Sequence, residues 1–592
     1  MFENDCDRSK FFVSRVNGAP YTTSLLCALS FAMSFMRVSA GIVEYPKAGG
    51  NLADNGPDGW NGQKPGLSDK VKIVQSGIYT STDDVEFYSM EVAATDVEFN
   101  LSGNGAQVSL TAESDSVFSA PNTERTSIGF NGGTWFMENG GPFTIGSVAP
   151  GFSMAFSGGC VLTNANKFTF DKACSDATVT VADSSRLYVE DFRVHERGGT
   201  NANVRVETGG LIHASRVVYL ELNGTEGSYG GHTLDVSGEN SSVISDGDLN
   251  LGIRTTGNRL KVRDGATVHV ANVLKLGGNV TSSTNHAMEV RSGSSVNVGE
   301  LKFSTCNNSV LVSNASFSVD SDLNVGTSTT NNKFVVSGAA SAFSYGGSFL
   351  DKSNYGAFML ENNAAWRSEG GNLTFLSSST GTVFGISGGA TFDNTDGDAD
   401  NDVQFYMGGG ASSVGNRLEI SDGAEVSVEK FFVRGISNAI VVSNATLKAF
   451  AKAYGIWLGH APNGSSTSNC TLVVRGNSPK AELRELKFGS HSVLRYEIPR
   501  EGYASGFVPV AAEKLSTADS ARIEIDCDDW RANRDSNDRI VLFRRIGNDL
   551  TSTNKTWLES RIFAVLPPSV RLVIDGTDVV IVKRRGTAIV VR

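Results

Sequence analysis

A short sequence motif recurs along most of this chain, and the repetition limits the folds that the chain can form. Each copy contains a short alternating strand, a polar corner with Gly or Asn, and a second short strand. The clearest pair is NRLKVRDGATV, which starts at Asn258, and NRLEISDGAEV, which starts at Asn416. A fixed period between about 20 and 50 residues indicates a solenoid, a propeller or a repeat array. The first apolar residues of successive copies are Val204, Leu234, Leu260, Met288, Val310, Phe334, Phe358, Val383, Leu418, Ile440 and Leu472.

The spacing of these markers decides between the repeat architectures. Most intervals are close to 25 residues, about the length of one coil of three short strands with their corners. Propeller blades need about 40 residues or more, and the alternation of β-branched residues excludes helical repeats. Asp264-Gly265 and Asp422-Gly423 suit sharp corners, because Gly and Asp accept positive φ angles. The sequence therefore predicts an all-β fold, a right-handed parallel β-helix with a continuous apolar interior.

Composition and charge fit such a solenoid and limit its partners. Gly contributes 65 of the 592 residues and charged residues only 19%, as expected for many short strands joined by tight turns. The formal net charge is −12, and no basic stripe runs through the repeats, so we expect no nucleic-acid partner. The cysteines are widely spaced and form no CxxC motif, so disulfides and zinc ribbons are not expected to hold the fold together.

The beginning of the chain differs from the repeats. Residues 1–40 combine early basic residues, an apolar stretch from Leu25 to Met36, and the small-residue pattern Val38-Ser39-Ala40, which together predict a signal peptide. A buried N-terminal helix that caps the solenoid is the alternative. The apolar stretch is too short to span a bilayer, and no later segment is apolar enough, so we expect no integral membrane segment in the mature chain.

The remaining domains follow from where the repeats begin and end. Residues 41–70 are interpreted as an N-terminal lead-in and residues 71–490 as the parallel β-helix array. Residues 491–592 lose the Gly-Asn corners and contain strand-like runs near the end, which predict a small C-terminal β-meander. Because the last coil of a solenoid exposes strand edges, we expect this unit to act as a cap.

The repeats resemble the passenger regions of bacterial autotransporter adhesins and similar secreted β-helix proteins. The resemblance covers roughly residues 70–490 and rests on the alternating strands and Gly-Asn corners quoted above. It implies a pectin-lyase-like solenoid that is extracellular or exposed at the cell surface. Autotransporters end in a translocator barrel of many strands, for which the last part of this chain is too short, so the resemblance is to the passenger region without the barrel.

One acidic segment is the main candidate for chemistry. Asn394-Thr395-Asp396-Gly397 is similar to the NTDG motif of polygalacturonases, which are parallel β-helix enzymes whose Asp belongs to an inverting carboxylate set. The Asp-Asp pair that follows in that family occurs here only at Asp528-Asp529, in the predicted cap, and Gly-His-Gly and Arg-x-Lys are missing, so Asp396 is a weak catalytic candidate. The alternating carboxylates also suit calcium, although the EF-hand spacing fails, and a solvated acidic loop is the alternative. The calcium candidates are Asp393, Asp396, Asp398, Asp400 and Asp402.

The remaining motifs and residues are weaker candidates for catalysis or sugar binding. No P-loop, GxSxG elbow or HExxH motif is present, so no cofactor other than calcium is expected. Lyase chemistry needs a basic residue beside carboxylates on one face, and the candidates are Arg205, Arg216 and Lys275. Outward aromatic residues that suit stacking on sugars are Tyr188, Tyr219 and Tyr229.

Three functions remain. The first is a non-enzymatic, adhesin-like protein, secreted or at the cell surface, whose polar solenoid face binds extracellular glycans or surface proteins. The second is a polysaccharide lyase or glycoside hydrolase that acts on acidic polysaccharide. The third is a structural spacer of the cell envelope. The absence of a complete catalytic set favours the first, since fold analogy alone does not establish function.

Overall fold

The computed structural model forms one long stack of parallel β coils, as the repeats predict. It describes residues 42–56, 59–65, 69–101, 106–110, 116–118, 127–137, 139, 141–145, 150–170, 175–194, 199–220, 230–278, 283–321, 323–325, 329–339, 341–345, 350–351, 354–368, 373–375, 378–395, 403–450, 455–460, 467–516, 518–527, 530, 539–547, 550–564, 566 and 570–583.

Each coil has three faces, which we number in chain order. The strand of the first face is followed by a tight turn, the strand of the second face, a bend, and the strand of the third face. In the strand Leu211–Leu220 the first half pairs with Ser242–Ser245 and the second half pairs with Asp248–Leu251. The bend therefore divides one continuous strand into a second-face half and a third-face half.

The first face is a single parallel sheet. Its strands are Gly50–Asn51, Gly77–Thr80, Asp96–Asn100, Ser127–Asn131, Ser153–Ser157, Thr178–Val181, Asn203–Val206, Thr233–Ser237, Arg259–Arg263, Ala287–Arg291, Ser309–Ser313, Lys333–Ser337, Ala357–Glu361, Val383–Ile386, Arg417–Ser421, Ala439–Ser443, Thr471–Arg475, Val493–Glu497, Arg522–Asp526 and Ile562–Ala564.

The second and third faces share the other sheet. Strands that lie on the second face alone are Val85–Phe87, Gln107–Leu110, Thr134–Met137, Ser242–Ser245, Ser316–Val319, Ala342–Tyr345, Ala365–Ser368, Thr391–Asn394, Glu425–Val428 and Thr446–Ala449. Strands that lie on the third face alone are Ile42–Glu44, Lys70–Ile73, Ser89–Val92, Ser116–Phe118, Phe143–Ile145, Asp248–Leu251, Leu323–Val325, Leu350–Asp351, Leu373–Phe375, Gln404–Met407, Lys430–Val433 and Ile456–Leu458. Continuous strands that cover both faces are Val161–Phe170, Arg186–Val194, Leu211–Leu220, Thr267–Leu276, Ser295–Phe303, Lys480–Phe488 and Val510–Ser516.

The repeat markers form an inward column on the first face. Val204 pairs in register with Leu234, and this ladder continues coil by coil to Leu472. One marker is displaced by a residue, because Phe384 and not Val383 pairs with Phe358 and Leu418. The column is buried, as the prediction of an apolar interior requires.

The tight turns between the first and second faces confirm the corner prediction. Asp264 and Gly265 have φ angles of 60° and 83°, and Asp422 and Gly423 have φ angles of 53° and 79°. Gly adopts this left-handed region without steric cost, and Asp tolerates it better than most residues. The recurring Asp-Gly pairs thus turn the chain sharply from one face to the next.

A row of buried polar side chains lines the corner just before the first face. Each accepts a hydrogen bond from the backbone N–H of the equivalent residue in the preceding coil, at distances of 2.8 to 3.3 Å. This pairing satisfies backbone donors that would otherwise be buried without a partner. We call this row the corner ladder, and its members are His232, Asn258, His286, Asn308, Asn332, Thr382, Asn416 and Asn438.

The two ends of the stack differ in structure. Parallel coil strands run from Ile42–Glu44 to Ile562–Ala564, and an α-helix, Ser552–Arg561, lies near the C-terminal end. Arg539–Arg545, Val570–Asp575 and Asp578–Lys583 then form an antiparallel unit. The domain boundaries stay predictions, and the predicted signal peptide, residues 1–40, lies outside the described residues.

Candidate functional site

The acidic segment begins in the second-face strand Thr391–Asn394. Asp393 belongs to the second-face strand Thr391–Asn394, where its Oδ1 accepts hydrogen bonds from the N–H of Thr395 at 3.1 Å and from its hydroxyl at 2.6 Å. This carboxylate thus caps the local backbone. Asp396, the catalytic candidate, and the calcium candidates Asp398, Asp400 and Asp402 lie outside the described residues, so both hypotheses stay predictions.

The basic lyase candidates do not come together on one face. Arg205 lies on the first face, where it pairs in register with Asp235. Arg216 lies at the bend and forms an ion pair with the buried carboxylate of Asp191. Lys275 lies on the third face, two coils beyond the coil of Arg216. In the described part of the chain, no three His, Cys, Asp or Glu side chains are arranged to hold a metal ion.

The tyrosine candidates also separate. Tyr188 lies on the second face and Tyr219 on the third, whereas Tyr229 is outside the described residues. Tyr188 lines an open groove of about 530 Å³ together with Glu190 and His213. The Nε2 atom of His213 lies 3.0 Å from the carboxylate of Asp246, so this surface carries a tyrosine and an oriented imidazole side by side.

A larger aromatic cluster lies on the third face of the C-terminal coils. Tyr406, Phe432 and Trp457 belong to successive strands and pair in register. The rings of Tyr406 and Phe432 stack with centroids 5.1 Å apart, and those of Phe432 and Trp457 are 6.1 Å apart. We call this cluster the aromatic patch, and its members are Tyr406, Phe432, Arg434, Trp457, His460 and Lys487.

Strand alternation places these rings on the outside of the solenoid. In Gln404–Met407 the side chains of Phe405 and Met407 are buried in the interior, so Tyr406 between them points outwards. The same alternation directs Phe432 and Trp457 outwards from the next two coils. Phe432 is nevertheless only 7% exposed, because the neighbouring rings cover it. Aromatic rings on the outside of a strand face thus form a packed surface of their own.

Cations cover the rings at both ends of the patch. The guanidinium carbon of Arg434 lies 4.0 Å from the centre of the Tyr406 ring. The ammonium nitrogen of Lys487 lies 3.4 Å from the centre of the Trp457 ring. Such contacts are stabilised by attraction between the cation and the ring quadrupole. Neither cation forms an ion pair with any residue that the structure describes.

His460 completes the patch as a neutral hydrogen-bond donor. Its ring lies 4.1 Å from Trp457 between centroids, and its Nδ1 accepts a hydrogen bond from Nε of Arg434 at 3.0 Å. Burial, and then the charges of Arg434 and Lys487, lower the pKa of His460 to about 4. The imidazole is therefore neutral at pH 7 with its proton on Nε2. The patch combines rings with N–H donors and contains no carboxylate.

Sequence reasoning missed this patch although a signal was present. Each outward ring stands between two inward apolar residues, in Phe405-Tyr406-Met407, Phe431-Phe432-Val433 and Ile456-Trp457-Leu458. A continuous apolar run of this length is equally typical of a strand buried on both sides. The outward direction of the middle residue becomes evident only once the register of the coils is known.

No protein-family model, curated protein or solved structure matches this chain. Among the described residues, no helix has both the length and the apolar character that a membrane span requires.

Proposed function

We propose that this protein is a non-enzymatic, adhesin-like glycan-binding protein, and that the aromatic patch on its third face is the main contact. The observation that carries the proposal is the set of outward rings flanked by N–H donors. Sugar rings present apolar C–H faces and many oxygen acceptors, so they match a surface of aromatic rings and N–H donors.

The position of the patch supports recognition of an extended ligand. The patch spans several coils of a rigid parallel sheet, so its donors are held at fixed spacings along the solenoid axis. Rigid elements hold a binding surface more accurately than loops do. A polymer that follows the axis would meet equivalent positions coil after coil.

The predicted signal peptide and the resemblance to passenger regions support a location outside the cell or at its surface. Extracellular glycans and surface proteins are then the accessible partners. Among these, we assign glycans to the aromatic patch, because its rings stand beside N–H donors that suit the many oxygen acceptors of a sugar.

The test is glycan binding by the mature chain, residues 41–592, on an array of neutral and acidic polysaccharides. Trp457→Ala should weaken binding of the best ligand at least tenfold, about 1.4 kcal/mol, because it removes a ring and an indole donor. Tyr355→Ala is the matched control, since Tyr355 is an aromatic residue that is 66% exposed but lies outside the patch.

Two results would reject this proposal. Binding that Trp457→Ala leaves unchanged would place the contact elsewhere on the protein. A folded mature chain that binds no glycan on the array would favour the structural spacer instead.

The groove beside His213 favours polysaccharide cleavage as a second candidate. An imidazole held by a carboxylate, here Asp246, is a common arrangement for a general base. Incubation with acidic polysaccharides would then yield new reducing ends or unsaturated products, and His213→Asn would abolish them. Absence of both products from the wild-type chain would reject this candidate.

A further inference from the structure

We infer that the ligand of the third face is an anionic polysaccharide that lies along the solenoid axis, with its acid groups bound by Lys275 and Lys302. This inference rests on the proposed glycan-binding function and specifies its ligand class. It adds a second contact region, separate from the aromatic patch.

The composition of the central outward row on the third face is the first observation. Two runs of outward residues pair in register along this face, and neither contains Asp or Glu although the whole chain has a net charge of −12. On the first face, by contrast, the central outward residues alternate in sign through Arg205, Asp235, Lys261 and Glu289. The third-face runs, which we call the third-face column, are Arg193, Tyr219, Asn250, Lys275, Lys302 and Asn324, and then Thr374, Tyr406, Phe432, Trp457, Lys487 and Ser516.

The second observation is a pair of like charges on adjacent coils. Lys275 and Lys302 are direct partners in the parallel ladder, and both are half-buried. Neither forms an ion pair with a described residue. Like charges placed directly opposite each other in a sheet are destabilising. A bound anion between the two ammonium groups would remove this repulsion.

The third observation concerns the cations of the aromatic patch. Arg434 is half-buried, and the loss of solvent lowers its pKa. A charge taken out of water without a carboxylate partner is unfavourable. Arg434 and Lys487 contact aromatic rings but no acidic side chain in the described ranges. An acid group on the ligand would provide the missing partner, and a guanidinium binds carboxylates and sulfates well.

The geometry allows one polymer to reach both regions. Adjacent coils are separated by about 4.8 Å, the spacing of paired strands. Lys302 and Tyr406 lie four coils apart along the third face, which corresponds to about 19 Å. An extended polysaccharide covers this distance with several sugar units, so a long chain can occupy the lysine pair and the aromatic patch together.

The experiment compares polygalacturonate with its fully methyl-esterified form, which has the same backbone without the charge, and includes alginate as a second acidic polymer. The mature chain should bind an acidic polymer at least tenfold more tightly than the neutral ester, and added salt should weaken this preference. Lys275→Gln combined with Lys302→Gln should reduce acidic binding about tenfold and leave binding of the ester unchanged. The control is Lys261→Gln with Lys333→Gln, two first-face lysines.

Chain length gives a second measurement. Short acidic oligosaccharides should bind either region alone, whereas long chains should bind more tightly because the second contact becomes intramolecular. Trp457→Ala should have little effect on the affinity for short oligosaccharides bound at the lysine pair. The lysine substitutions should cause a larger loss of affinity, measured with long chains.

Several outcomes would overturn the inference. The anionic specificity would be rejected by equal binding of the acidic and neutral polymers, or by unchanged binding of the acidic polymer in the double lysine variant. Either result would still allow a glycan contact that depends on Trp457. Duplex DNA that competes as well as the acidic polysaccharides would indicate attraction to any polyanion. Failure of every polysaccharide to bind would reject both this inference and the proposed function.

Discussion

The corner ladder and the third-face column are both rows of stacked side chains, but one lies inside the solenoid and the other outside. In the corner ladder, each polar group binds the backbone of the preceding coil and has no access to water. In the third-face column, the polar groups of Lys275, Lys302 and Lys487 have no acidic partner among the described residues. The same stacking thus satisfies polar groups inside the solenoid and leaves ammonium groups without an acidic partner outside it.

Because of this contrast, substitutions that affect stability can be separated from substitutions that affect binding. A buried polar group that loses its partner destabilises the folded state by about 1–3 kcal/mol, whereas surface substitutions usually change stability by about 0.5 kcal/mol or less. Ladder substitutions should therefore affect unfolding, and column substitutions should affect ligand affinity. Three measurements test this division.

The ladder histidines should cause the greatest loss of stability, and this loss should occur in acid. Burial lowers the pKa of His232 and His286 to about 4, below the value of about 6.5 in the unfolded chain. The unfolded chain therefore binds more protons between these values, so stability is complete above about pH 6.5 and falls as the pH drops towards 4. At pH 5 the two residues together should reduce the free energy of unfolding by about 4 kcal/mol.

The measurement is urea unfolding at pH 8 and pH 5. His232→Asn combined with His286→Asn keeps an acceptor in each ladder position, as Asn258 and Asn308 do, and should remove most of the additional loss at pH 5. His269→Asn, on the exposed second face, is the control. An unchanged pH dependence in the double variant would show that the ladder histidines are not the source of the acid sensitivity.

A smaller effect is expected from a single ladder amide. Asn416 is buried, accepts from the N–H of Thr382 at 2.9 Å and donates to the carbonyl of Ser379 at 2.8 Å. Asn416→Leu would remove both of these buried hydrogen bonds and should lower the free energy of unfolding by about 3 kcal/mol. Denaturant unfolding at pH 8 checks this, with Asn297→Leu on the outer surface as control. A loss below about 1 kcal/mol would contradict the role of the ladder.

The smallest effect on stability is expected on the outer row. Trp457 lies outside the apolar interior and is half-buried, so Trp457→Ala should change the free energy of unfolding by only about 1 kcal/mol. The same variant should lose glycan binding, as proposed above. A loss of several kcal/mol, measured by the same unfolding method, would indicate that the outer rings serve the fold and not a ligand.

The sequence predicted the architecture because the interior repeats in a simple way. Alternating strands, Asp-Gly corners and a period near 25 residues are local signals, and Leu260, Met288 and Val310 indeed stack in register. The error at Val383 arises because Val383 and Phe384 are both apolar, so alternation alone did not indicate which of them faces inwards.

The candidate surface was harder to predict because it depends on contacts between coils. His232, His286 and Asn416 stand at the start of the recurring phrases, yet their hydrogen-bond partners lie 30, 28 and 34 residues earlier. Tyr406 and Trp457 belong to coils that are separated by the coil of Phe432, and the segments that connect these coils differ in length. Only the register of the parallel strands brings such residues together.

The hydrogen bonds of the corner ladder all point in one direction along the solenoid, and this affects how the solenoid assembles. Every ladder side chain accepts a hydrogen bond from the coil before it, so Asn438 serves the coil of Asn416, and Asn416 serves the coil of Thr382. A coil that joins the N-terminal end of a folded stack therefore finds its acceptor already in place. A coil that joins the C-terminal end leaves the corresponding backbone N–H facing solvent, and its intramolecular acceptor comes only with the next coil. The ladder thus gives the growing stack a polarity, and coil addition is favoured from the C-terminal end towards the N-terminal end.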